Sequence, residues 1–185
     1  QTIGGGAPVG ICGSGLLDAV AQMLQGGVID STGRMLDHPL VRRRGGVREF
    51  VLAERPGQEA VTVSQKDVRA LQAAKTAIRL GIQALVEDAG IEEGEIDRVI
   101  IAGAFGTYID VESAIAIGML PALPLGLFEQ VGNAAGTGAR LALVSREKRR
   151  EALEIAGADG YLELARIPDF NEKFAAATPM GAAVS

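Results

Sequence analysis

The stretch "GICGSG" (Gly10 to Gly15) sets small residues where a helix is about to begin. Such a helix start can offer unpaired backbone N–H groups, and the positive end of a helix dipole, to an anion. The same glycines serve equally as turn and packing residues, and the stretch matches neither the dinucleotide fingerprint nor the lysine-bearing Walker A loop. Cys12 lies inside it with no histidine or other base nearby in sequence, which leaves a small hydrophobe or a nucleophile. Farther along, Gln72, Lys75 and Arg79 are spaced i, i+3, i+7 and share a helix face. Lys75 falls at the edge of an apolar stripe, from which it can snorkel to solvent or present its ammonium to a ligand. In "AGAFG", Gly103 and Gly106 bracket Ala104 and Phe105 after an apolar run. Backbone without a Cβ can lie against a flat ligand there, or simply make a tight strand-to-helix turn. "GNAAGTGA" does similar work at the next strand end, with Asn133 its best-placed polar group. "RRRGGVR" (Arg42 to Arg48) is a basic cluster in an acidic chain, either a solvated loop or a docking surface. No paired carboxylates, Ser/His/Asp set or metal-ligand spacing accompanies these groups, so no catalytic residue and no metal site is assigned.

The elements that must position them alternate between helix and strand. "GSGLLDAVAQMLQGG" repeats Leu16, Leu17, Val20, Met23 and Leu24 at helical spacing, and Gly26-Gly27 stops it. "VIDSTGRML" reads as a strand and a turn built on Ser31-Thr32-Gly33. Residues 35–63 lack helical period and suggest two short antiparallel strands around Pro56-Gly57, an inserted hairpin or small subdomain. Ser64 with Asp67 begins a long helix like a capping box, with Val68, Leu71, Ala74, Ile78, Ile82 and Leu85 as its stripe. "RVIIAGAFG" has the continuous apolar run of a central strand covered on both faces. Asp110 caps a helix that Pro121 ends. "LFEQVGNAAGTGARLALV" gives a strand, a small-residue turn and a tightly packed helix. Ser145 caps a charged helix, and the tail holds a short strand and a last helix. No internal repeat is visible.

Composition bounds the function. The chain has 185 residues, 48% of them hydrophobic but only 4% aromatic, so small aliphatic residues do the packing, the habit of an α/β domain. A net charge of −5 argues against nucleic acid, and no run approaches the length of a membrane span. The Gly-rich opening "QTIGGGAPVG" has no charged leader and suggests a piece of a longer protein. One cysteine and one histidine put a disulfide framework, a zinc site and a protein-held iron–sulfur cluster out of reach of this chain. A cytoplasmic setting is the default.

Taken in order, "GICGSGLLDAVAQML", "GVIDSTGRM", "VTVSQKDVRALQAAKTAIRLGI", "IIAGAFGTYIDVESAIAIGMLP" and "VGNAAGTGARLAL" resemble the carboxy-terminal region of the reductive activators of corrinoid proteins. The similarity covers nearly the whole chain and is weakest at residues 35–60 and after 145. That family shares the ASKHA fold of acetate and sugar kinases, heat-shock chaperone ATPases and actin, in which two ribonuclease H-like halves close on ATP. The resemblance implies most of the second half: its start in 1–34, the small insertion in 35–63 and the remainder in 64–185. It implies that Gly103, Ala104, Phe105 and Gly106 lie against adenine and ribose. Gln72, Lys75 and Arg79 would reach adenine from the other side, and Gly13, Ser14 and Gly15 would line the ribose and phosphate side.

The resemblance further implies ATP, with magnesium in the full-length protein, used to return cob(II)alamin on a corrinoid methyl-transfer protein to cob(I)alamin. Electrons would pass through a two-iron, two-sulfur (2Fe-2S) cluster in an amino-terminal ferredoxin-like domain. Cluster cysteines and Asp-Gly-Thr phosphate loops are missing here, so this chain alone is not expected to be catalytic. A homodimer is left open. The competing readings are a non-catalytic ASKHA-type interaction domain and the ATPase activator of a radical dehydratase or reductase. The latter needs a bridging-cluster cysteine motif, whereas Cys12 stands alone.

Overall fold

Helix α1 (Gly13–Gln25) buries Leu17, Val20, Ala21 and Met23, on the face that its apolar spacing predicts. The computed structural model describes residues 2–103, 105–158 and 160–181. Cys12 caps α1, its sulfur accepting from the Gly15 amide at 3.4 Å. Past Gly27 the expected strand is reduced to a single bridge between Ile29 and Met35. The reason is Asp30. Its Oδ1 accepts from the Thr32 amide (2.9 Å), the Thr32 hydroxyl (2.6 Å) and the Arg34 amide (3.0 Å), and this local turn takes the place of a ladder.

Residues 41–64 hold three antiparallel strands rather than two, β1 (Val41–Arg44), β2 (Val47–Ala53) and β3 (Val61–Ser64), paired in that order. Gly45 and Gly46, at φ 56° and 82°, close the first hairpin as a two-residue turn whose positive φ values match strand twist. Val63 is fully buried, and Val41 and Phe50 pack against the same core as α1.

Helix α2 (Gln65–Ala89) starts with both halves of the capping box: Ser64 Oγ accepts from the Asp67 amide, and Asp67 Oδ2 accepts from the Ser64 amide at 2.8 Å. Its buried face is Val68, Gln72, Lys75, Thr76, Leu80 and Ala84, rotated from the expected stripe; Ile78 and Leu85 are exposed. Carbonyl partners across the core decide this. Gln65, Arg69 and Gln72 all donate to the backbone of Thr32 or Gly33, and Gln65 Oε1 accepts from the Met35 amide.

Strand β4 (Val99–Ala102) pairs in parallel with β5 (Phe128–Gly132), forming a second sheet. The expectation that β4 is covered on both faces is wrong. Ile101 packs on the core, but Ile100 is 54% exposed, because among the described residues no element lies over that face. The short α3 (Phe105–Tyr108) and α4 (Val111–Ala116) follow β4. Asp110 caps α4 through the Ser113 amide at 2.7 Å. The helix stops before Pro121, at Gly118 (φ 76°), where a Cβ would run into the Gly181 carbonyl.

Helix α5 (Ala134–Val144) lies against α6 (Arg146–Ala158). None of its residues is buried, so the tight packing expected from its small residues is not found. The tail has a 3-10 turn at Leu164–Arg166 in place of a strand, then α7 (Phe170–Ala177). Met180 closes the core, its amide donating to the Ser31 carbonyl at 2.6 Å.

Candidate functional site

Two strand ends form one rim. The Gly103 amide donates to the Gly132 carbonyl at 2.6 Å, which sets the end of β4 beside that of β5. Gly103 has φ 87°, and a Cβ there would meet nothing within 4 Å. The backbone is thus presented to open space by a residue that a side chain would strain. Ala104 lies outside the described residues; Phe105 and Gly106 open α3. Asn133 stands at the same rim, but its Oδ1 caps α5, accepting from the Gly136 amide at 2.9 Å. Its amide nitrogen is the part left for a ligand.

Gln72, Lys75 and Arg79 do share one side of α2, yet each is already engaged. Gln72 Nε2 donates to the carbonyls of Thr32 (3.1 Å) and Thr178 (2.9 Å). Lys75, expected at the edge of the stripe, is 1% exposed. Its Nζ donates to the Ala177 carbonyl at 2.7 Å and the Pro179 carbonyl at 2.5 Å. Burial, with the nearby Arg79 charge adding, brings its pKa down to about 8. Arg79 makes a bidentate pair with Glu93. Beside them a cleft of about 320 Å³ runs between α2 and α7, lined by Lys75, Arg79, Glu87 and Lys173.

Gly13, Ser14 and Gly15 form the first turn of α1. Cys12 is exposed. The Ser14 hydroxyl, and after it the Gly15 amide, lower its thiol below the ordinary range. Among the described residues no hydrogen bond joins this helix start, the strand-end rim and the α2 row to one another.

The residue readings missed two features. Glu93 fixes Arg79, and only its place in the acidic exit turn "IEEGE" hinted at a partner. Asp18, an acid inside the apolar run "LLDAVA", has a buried Oδ1 with no hydrogen-bond partner. Burial raises its pKa, the Ser113 hydroxyl works the other way, and the Asp110 charge adds to the rise.

The comparisons with known proteins bear on the whole of this architecture. A family model described as the C-terminal domain of RACo, the ASKHA domain, matches residues 1–183. The corrinoid activation enzyme RamQ of Eubacterium limosum is 38% identical over 98% of this chain and 33% of its own length. A [Co(II) methylated amine-specific corrinoid protein] reductase of Methanosarcina barkeri is 27% identical over 80% of this chain and 24% of its own. A solved structure, a reductive activator for a corrinoid, iron–sulfur protein, superposes with a TM-score of 0.89 at 38% identity. It covers 97% of this chain and 30% of that one. The chain spans about a third or less of the relatives it matches. Over residues 1–183, the chain belongs to the family of the RACo C-terminal ASKHA domain.

Proposed function

We propose that this chain is the nucleotide-binding part of an ATP-dependent reductive activator, which returns cob(II)alamin on a corrinoid methyl-transfer protein to cob(I)alamin. The observation that carries it is the agreement of relatives with corrinoid activation in their names along 97–98% of the chain. The strand-end rim supports the nucleotide part of the reading. Gly103 to Gly106 would take the face of adenosine, with the Asn133 amide at its edge, and the start of α1 at Gly13, Ser14 and Gly15 would serve the ribose and phosphate side. Gln72 and Lys75 contribute chiefly by holding residues 177–179, and Arg79 by its pair with Glu93.

ATP, when bound, would supply the free energy for an otherwise unfavourable one-electron reduction of Co(II). One electron would come from a reduced 2Fe-2S cluster. This chain, with one cysteine, does not fit as its holder, so the cluster belongs to a further domain.

The test uses the full-length protein with a corrinoid protein partner and a chemical reductant. The characteristic absorbance of cob(I)alamin should appear only when ATP is added. Gly103→Val should weaken ATP binding roughly tenfold or more, since overpacking in a formed site costs about 1–3 kcal/mol. Gly90→Val is the control, because Gly90 also has positive φ (64°) and open space around it but caps the far end of α2. Both variants should melt earlier, and only the first should lose ATP affinity. Equal affinity in the two variants would remove the rim from the site, and ATP-independent reduction would remove the nucleotide from the function.

A further inference from the structure

The arginines of the β1–β2 hairpin are sorted by strand alternation. Arg42 and Arg44 point to one face and find carboxylates there: Glu49 at 3.6 Å and Glu54 at 3.7 Å for Arg42, and Glu59 at 2.5 Å for Arg44. Arg43 points to the other face, directly opposite Arg48 in the strand register. Like charges facing each other across a strand pair are destabilising. Arg34, from the turn before the sheet, and Lys66, from the first turn of α2, join them around one depression of about 390 Å³. Among the described residues no acidic side chain lines it. Arg48 is the only one of the four with an ion pair among the described residues, to Asp37 at 2.7 Å, and Asp67 beside Lys66 is committed to capping α2. Four cations from four different elements therefore converge in a chain whose net charge is −5.

We infer that this face is a docking surface for an acidic, carboxylate-rich segment of a partner protein. Charge complementarity names the occupant's sign, and the guanidinium fork takes a carboxylate or a phosphate in bidentate geometry. The cations are spread around an open depression rather than gathered on one point, as suits several carboxylates along a chain. Neither nucleotide nor corrinoid chemistry enters this inference.

The test measures binding of a fluorescein-labelled hexaglutamate peptide to the full-length protein by anisotropy at low salt, and its competition by inorganic pyrophosphate. Arg43→Glu with Lys66→Glu should weaken peptide binding at least about tenfold. Arg42→Glu with Arg44→Glu makes the same change in net charge on the opposite face and should weaken it less than about twofold. Arg43→Gln with Lys66→Gln, checked by melting temperature, should also lose binding without introducing repulsion. Equal losses in the two charge-reversed variants would reduce the effect to overall charge and overturn the inference. So would the absence of peptide binding to the parent protein. Pyrophosphate binding that is sensitive to Arg43 and Lys66, without peptide binding, would make this a small-anion site and overturn it as well.

Discussion

Lys75 shows how much one side chain can reorganise. Its four-carbon stem lies in the core and its ammonium ends on two backbone carbonyls, and among the described residues no carboxylate pairs with it. A lysine lowered to about 8 titrates well below the ordinary value of about 10.4. Between these two values the unfolded chain binds more protons than the folded one, so this group's contribution to stability rises with pH. Replacing Lys75 by Met keeps the stem and leaves two carbonyls unpaired. We expect Lys75→Met to be less stable than the parent, and the gap in urea midpoint to widen from about pH 7 to about pH 10 as the parent gains. A gap that stays constant across that range would show that Lys75 titrates like an exposed lysine. The sequence showed that Gln72, Lys75 and Arg79 share a face. It did not show that the face turns inward, because the carbonyls that receive Gln72 and Lys75 come from residues about a hundred positions away.

At the scale of elements, what is encoded locally was legible. The α2 start is the clearest case, since Ser64 and Asp67 satisfy each other's groups within one turn. Removing that hydroxyl with Ser64→Ala should cost about 1 kcal/mol, within the usual range for a lost N-cap, read as a lower denaturant midpoint with an unchanged slope. A loss near zero would mean that the Gln65 bridge to Gly33 and Met35 holds the helix start unaided. The Asp110 cap of α4 and the existence of β4 were legible in the same way. Features fixed by distant partners were not. The inward turn of the α2 row is the main one, set by the carbonyls of Thr32 and Thr178. Three features nearer in sequence were passed over because their residues carried other readings: the Asp30 turn that cuts the Ile29–Met35 pairing to one bridge, the positive φ of Gly118 just past α4, and the Gly45-Gly46 turn, read only as part of a basic cluster. The glycines of the candidate site were found because the breaks they make beside apolar runs are local signals, and among them Gly103 takes a positive φ of 87°. Their ligand was named by resemblance, since open space beside Gly103 has no chemical signature of its own.

Over the whole molecule, burial is uneven. The core joins α1, α2, the antiparallel sheet and the segment at Met180, while α5 buries no residue and Leu153 and Ile155 of α6 are 70% and 56% exposed. Regions with few buried apolar contacts open at lower free energy than the core. Amide hydrogen exchange on this chain should therefore be faster in 134–158 than in 13–25 and 65–84, and uniform protection across all three would contradict this ordering. The clasp at residues 177–180 also has a consequence in time. Lys75 leaves the ribosome 102 residues ahead of its first acceptor, a delay of roughly 5–20 s at ordinary rates of synthesis. Throughout that interval α2 carries an ammonium without its carbonyl partners, so the core cannot close around it until residues 177–179 have been made. Closure waits for the clasp, which makes this domain a late folder however early its helices form.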